Sequence, residues 1–274
     1  MCNKLLLEVE YNGQGFSGFQ LQPFAPTLQA LLENALKIVL RTSQRVPTVC
    51  ASRTDKGVRA KSQLVIVTIP IDLKPSELSQ INKSISFLCK PHLSVKKSYL
   101  VSKDFKFSTC VTAKTYRYYI LNRWAPPTYQ KDLVWHYPKA LNEELLRHFA
   151  NEIVGTHDFK AFRGADCNST STTKTIFCAG WTRLGELLVF TISGSGFLHK
   201  MVRFLVGTMI KCAEIKQLPV RSSLFDLILN YKFCAPSSGL CLEGFLLQDG
   251  LRVGDFWDGK QEQSVPSWDS KLFK

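Results

Sequence analysis

CASRTDKGVRAK, residues 50–61, lies between two runs, 45–51 and 63–69, that read as strands, so it is expected to be an exposed connection between them. One carboxylate, Asp55, stands among Arg53, Lys56, Arg59 and Lys61. Nearby cations favour the ionised form of an acid. They also draw a polyanion towards it. The same letters satisfy a simpler requirement. Thr-Asp-Lys-Gly is good turn chemistry, with Gly57 available for a positive φ. The stretch alone is therefore both a hairpin turn and a candidate site, and its surroundings have to decide.

Working outward, residues 4–11 form an apolar strand that runs into the glycine-punctuated loop YNGQGFSGFQ. Gly13, Gly15 and Gly18 match a dinucleotide fingerprint by spacing, but no helix opens until Thr27, so nucleotide binding is not expected there. Thr27 caps a helix whose apolar positions are Leu28, Leu31, Leu32, Ala35, Leu36 and Val39. A second helix is expected at 75–85, opening with proline in its first turn, and a further strand at 93–99. This strand–helix–strand–strand–helix–strand order predicts an α+β unit with one sheet backed by two helices.

Residues 112–121 read as the next strand, with Lys114, Tyr116, Tyr118 and Ile120 on one face and Thr115, Arg117 and Tyr119 on the other. RWAPP, 123–127, is a rigid bend suited to a domain boundary. Asn142 caps a helix carrying Leu145, Leu146, Phe149 and Ile153, and 155–174 reads as a long polar irregular loop. Two strands are expected at 175–183 and 186–193, and the longest helix at 196–214. Its stripe is Leu198, Met201, Val202, Leu205, Val206, Met209, Ile210 and Ala213, with Lys200, Arg203 and Lys211 off it. A helix at 222–230 and a strand near 243–248 follow. The expected organisation is an N-terminal α+β domain, 1–111, a C-terminal α+β domain, 112–248, and a polar tail, 249–274.

The 274 residues carry a formal charge of +13, concentrated in the first part of the chain. Residues 1–121 hold 17 Lys+Arg against 7 Asp+Glu, and 122–248 hold 14 against 10. That bias suggests a nucleic-acid partner first and an anionic membrane second. The second reading lacks a basic amphipathic helix to support it. The nine cysteines include no Cys-x-x-Cys pair and no zinc-like spacing, which fits free thiols in a reducing cytoplasm. No apolar run approaches the roughly 20 residues of a membrane helix.

Taken together, several segments resemble the tRNA pseudouridine synthase A family. SRTDKGVRA is similar to its Gly-Arg-Thr-Asp-x-Gly-Val-His-Ala signature, and YNGQGFSGFQ to its early Tyr-Asp-Gly loop. KTYRY resembles its tyrosine strand at Tyr116. Asp158, Phe159, Phe162 and Arg163 resemble its Asp-Phe-x-x-Phe-Arg loop. Phe197, Met201, Val202 and Arg203 resemble its Phe-x-x-x-Met-Val-Arg helix, and Gly239, Leu240 and Leu242 a late Gly-Leu-x-Leu. Ser52, Arg59 and Phe19 depart from the pattern, and Phe105-Lys106-Phe107-Ser108 stands where the family has Phe-His-Ala-Arg.

The resemblance implies two RRM-like α/β sandwiches, mainly antiparallel, around a central cleft, in a homodimer. It implies uridine-to-pseudouridine isomerisation in the tRNA anticodon stem-loop (tRNA positions 38–40), without metal, cofactor or membrane. By resemblance Asp55 is the catalytic carboxylate, Tyr116 stacks on the base, and Arg203 pairs with Asp55. Arg53, Lys56, Arg59, Arg163, Lys200 and Leu242 are the expected RNA-binding set. A carboxylate suits this chemistry because it can add to an electrophilic carbon or support positive charge at C1′. The target uridine has to leave the stack to reach it. The rival reading is a non-catalytic RNA-binding module or tRNA chaperone of the same fold.

Overall fold

The computed structural model describes residues 4–69, 73–165, 167, 169–215, 218, 219, 221–248 and 252–254. Among these are eleven strands and six α-helices, a mixed α+β protein. The chain divides into two compact units. One ends at Thr112 and takes in the chain again from Cys241; the other runs from Ala113 to Leu240.

In the first unit, β1 (Lys4–Tyr11) is flanked by β3 (Arg59–Thr68) and β4 (Leu93–Val101), antiparallel to both. The other edge of β3 is shared. Its far half pairs with β2 (Thr48–Cys50), and its near half pairs in parallel with β10 (Leu240–Leu247) through Cys241↔Arg59 and Leu242↔Ala60. The expected domain limits therefore need adjusting. Residues 241–248, expected with the second domain, belong to the first unit because β10 completes the edge of β3.

Two helices pack on one another in this unit. In α1 (Leu28–Val39), Thr27 accepts the Ala30 amide at 3.2 Å, as its cap position demands. The helix α2 (Leu78–Cys89) follows a 3-10 turn at Pro75–Glu77 and buries Ile81, Ile85 and Cys89 against β4. A short helix, α3 (Phe107–Cys110), was not foreseen. Glu33 of α1 is buried and meets Arg45 at 2.7 Å, the Thr48 amide and hydroxyl at 3.0 Å each, and Gln29 at 3.0 Å. Of the expected tail, only Arg252–Gly254 is described; it forms β11, antiparallel to β10.

In the second unit the strand order is β5 (Val111–Leu121), β9 (Leu187–Gly194), β8 (Thr173–Leu184), β7 (Gly155–Asp158), with β6 (Trp135–His136) parallel to β5. From Thr115 to Leu121 every residue of β5 is buried, so its alternation separates two buried faces rather than a wet and a dry one. The bend at 123–127 lies inside this unit and bounds no domain. Asn142 caps α4 (Glu143–Glu152) by accepting the Leu145 amide at 3.1 Å.

The stretch 155–174 is more ordered than its polarity suggested: β7 pairs with Thr173–Ile176, and a 3-10 turn covers Lys160–Phe162. The long helix α5 (Met201–Ala213) begins five residues later than its pattern implied. Lys200 holds a left-handed φ of +60° at its N-terminus, and a helix cannot propagate backwards through that conformation. The whole expected apolar stripe of α5 is buried. A last helix, α6 (Leu224–Tyr231), packs on α5.

Candidate active site

The Asp55 loop leaves β2 at Cys50 and enters β3 at Arg59. Along it exposure alternates: Ser52 and Thr54 are buried, Arg53 is exposed and Asp55 half-exposed. Lys56 is exposed, Gly57 supplies a φ of +76°, and the Val58 amide closes the turn on the Asp55 carbonyl at 3.1 Å. The turn chemistry is therefore real, and the turn it makes leaves Asp55 half-exposed.

Two other segments hold this loop. The early glycine loop lies directly against it. A Cβ on Gly13 would sit 2.1 Å from the Val58 carbonyl oxygen, and one on Gly18 would sit 2.8 Å from that of Thr54, so both must be glycine. The Phe19 amide donates to the Thr54 carbonyl at 3.2 Å, and Phe19 itself is fully buried beside Tyr11. The second holder is the fully buried Gln63 of β3. Its Nε2 donates to the Ser52 carbonyl at 2.6 Å and its Oε1 accepts the Ser52 amide at 3.2 Å. Gln63 Nε2 also lies 3.3 Å from the Tyr11 hydroxyl, which is 2.7 Å from Thr54 Oγ1.

Lys61 pairs at 3.0 Å with Glu243, which is completely buried in β10. Beside it, burial first and the Glu243 charge second push the Cys241 thiol up to about 12, so it stays protonated. Leu242 was expected among RNA-binding residues. It has no exposed surface and sits beside Ala60 in the sheet, so it offers a nucleic acid nothing.

In the second unit, Tyr116 is buried on β5 opposite Ile192, with its ring edge-on to Phe197 at 5.3 Å. Arg203 lies in the first turn of α5 and is half-buried. Its Nε donates to the Ala235 carbonyl at 2.8 Å, and the Ala235 amide donates back to the Arg203 carbonyl at 3.1 Å. The segment that supplies Ala235 approaches the helix so closely that a Cβ on Gly207 would fall 2.0 Å from the Phe233 carbonyl oxygen.

The segments that carry Arg163 and Lys200 also meet in this unit. The Gly164 amide donates to the His199 carbonyl at 2.9 Å, placing the end of the 155–163 segment on the N-terminal approach to α5. That segment is anchored by Phe159 and Phe162, both fully buried and each 5.7 Å from the ring of Phe225. Asp158 caps its turn by accepting the Lys160 amide at 2.9 Å. A hydrogen bond from Thr172, then that amide, hold its carboxyl below the ordinary range. Sequence reading missed Gln63 and Ala235, since neither carries a motif and both act through partners distant in the chain.

Each unit thus presents polar and cationic groups on segments that are locally over-determined. Among the described residues no helix is long and apolar enough to cross a membrane. No cluster of three or more His, Cys, Asp or Glu side chains among them is placed to hold a metal ion. The eight described cysteines are free thiols.

Comparison with known proteins identifies the class. The family described as tRNA pseudouridine synthase matches residues 149–232, which contain β7, the aromatic-anchored turn and the Arg203 helix. Relatives matched over most of the chain extend the match to its first half. A tRNA pseudouridine synthase A of Gluconobacter oxydans (strain 621H) is 32% identical over 246 residues, 88% of each chain. Those of Borrelia hermsii (strain HS1 / DAH) and Bacillus subtilis (strain 168) are 35% and 31% identical, covering 84% and 76% of this chain and 90% and 83% of their own. The chain belongs to the tRNA pseudouridine synthase A family.

Proposed function

We propose that this protein isomerises uridine to pseudouridine in tRNA, with Asp55 as the catalytic carboxylate. The reaction breaks the C1′–N1 bond, turns the freed uracil and joins C5 to C1′. N1 gains a proton and C5 gives one up, so neither redox change nor energy input is needed. Asp55 serves as the nucleophile, or as the counter-charge to the electron-poor sugar carbon. Tyr116 lies against the base and Arg203 pairs with the carboxylate, keeping it ionised and in one rotamer. Arg53, Lys56, Arg59, Arg163 and Lys200 grip phosphates around a flipped nucleotide.

In this reading the two α+β units are RRM-like sandwiches flanking a central cleft, and two chains form a homodimer on the anticodon stem-loop of cytoplasmic tRNA. The observation that carries the proposal is the presentation of Asp55. The loop buries Ser52 and Thr54 while leaving Arg53 exposed and Asp55 half-exposed, which a plain hairpin does not require. Family membership supplies the reaction that such a carboxylate suits.

The test is Asp55→Asn with unmodified tRNA. Pseudouridine formation is expected to fall by at least about a thousandfold, with tRNA binding retained. Full activity in the variant overturns the assignment. Wild-type protein that binds tRNA yet makes no pseudouridine would instead establish a binding module.

A further inference from the structure

We infer that Gln63, acting with Tyr11, is a positioning residue that sets the placement of Asp55; this rests on the proposed role of Asp55. The β2–β3 ladder ends at Cys50↔Val65, followed by one more backbone bond, Ala51 amide to Leu64 carbonyl, at 2.8 Å. The chain then departs towards Asp55, and Ser52 takes its hydrogen bonds from a side chain. The Gln63 carboxamide offers the same donor and acceptor as a peptide group and engages both the amide and the carbonyl of Ser52. It acts as an artificial rung that carries the sheet's order one step into the loop.

The same amide nitrogen reaches further. An amide NH2 has two protons. One goes to Ser52, leaving the other directed at the Tyr11 hydroxyl 3.3 Å away. The Tyr11 hydroxyl in turn shares a hydrogen bond with Thr54 Oγ1 at 2.7 Å. The result is a hydrogen-bonded relay linking Gln63 through Tyr11 to Thr54, the residue immediately before Asp55. With the Phe19 amide on the Thr54 carbonyl, Thr54 is fixed on its side chain and its main chain at once. Gln63 touches no reacting atom and is fully buried; its influence runs through geometry alone.

Displacing a catalytic group by about 1 Å costs on the order of a hundredfold in rate while leaving binding intact. The experiment measures kcat and KM for unmodified tRNA in Tyr11→Phe and Gln63→Leu, alongside thermal unfolding and Asp55→Asn. Tyr11→Phe keeps the ring beside Phe19 and removes only the hydroxyl. It is expected to lower kcat by about tenfold, with KM for tRNA within about twofold of wild type and the unfolding midpoint unchanged. Gln63→Leu is expected to lower kcat by about a hundredfold. In the double variant the losses should not multiply, as for two members of one relay.

Wild-type kcat in folded Tyr11→Phe, or losses that multiply, overturns the inference; if Gln63→Leu does not fold, Tyr11→Phe decides alone. An inactive Asp55→Asn beside a fully active Tyr11→Phe removes the positioning role and spares the proposed function. A fully active Asp55→Asn removes both.

Discussion

In the first unit the Asp55 loop hangs from hydrogen bonds made by two uncharged side chains, Gln63 and Tyr11, and from two glycines that admit the main chain. In the second, the segments around Arg203 are seated by ring packing among Phe159, Phe162 and Phe225 and by main-chain contact at Ala235. The first device is directional and tolerates little angular error. The second draws on apolar area, which stabilises without fixing a single orientation. Removing a polar holder should therefore cost rate before stability, and removing a ring should cost stability first.

The largest effect expected is on the aromatic side. Phe159→Ala empties a fully buried site and should destabilise the protein by about 3–5 kcal/mol in a denaturant titration. A stable variant with a damaged kcat would contradict the division. Next comes Gly207→Ala. In an unencumbered helix this change stabilises by about 1 kcal/mol. Here the new methyl meets the Phe233 carbonyl at 2.0 Å, and a net loss of about 1–3 kcal/mol is expected, with kcat reduced because Ala235 and Arg203 shift together.

A smaller change is expected at Arg53, which is exposed beside Asp55. Arg53→Gln should leave unfolding untouched and flatten the log–log dependence of tRNA binding on salt by about one. An unchanged salt slope would remove Arg53 from the RNA-binding set. The smallest concerns acid stability. Burial opposes ionisation of Glu33, but hydrogen bonds from Arg45, Gln29 and Thr48 outweigh it, and its pKa lies below the ordinary 4.5. A depressed carboxyl pKa stabilises the fold above the unfolded value, and that stability is lost as pH falls through the folded one. Glu33→Gln should therefore reduce the melting temperature at neutral pH and flatten its decline below about pH 4.5.

Much of this arrangement is legible in the residues themselves. Thr27 and Asn142 announce their helices because a cap is a local interaction, three residues long. The stripe of α5 is equally plain, since its period reports one buried face. The start of that helix is not: Lys200 is left-handed beside a main-chain contact from Gly164 to His199, and no helix-breaking letter marks the place. The 155–174 stretch hid β7 because a four-residue strand beside a longer partner needs few apolar residues of its own. At the candidate site, Asp55 and Arg53 stood out by charge and motif. Gln63 did not, because its meaning lies in Ser52 eleven positions earlier, and Leu242 misled because a motif position says nothing about burial.

The strand β10 carries a consequence for how the protein is made. The near edge of β3, next to Asp55, is completed only when Cys241 and Leu242 arrive from far along the chain. During synthesis the ribosome releases the Asp55 loop early and its last neighbouring strand late. The nascent first unit waits with an open strand edge until Cys241 and Leu242 are delivered. Pairings of such long sequence separation form slowly, so catalytic competence should appear as a late step of maturation.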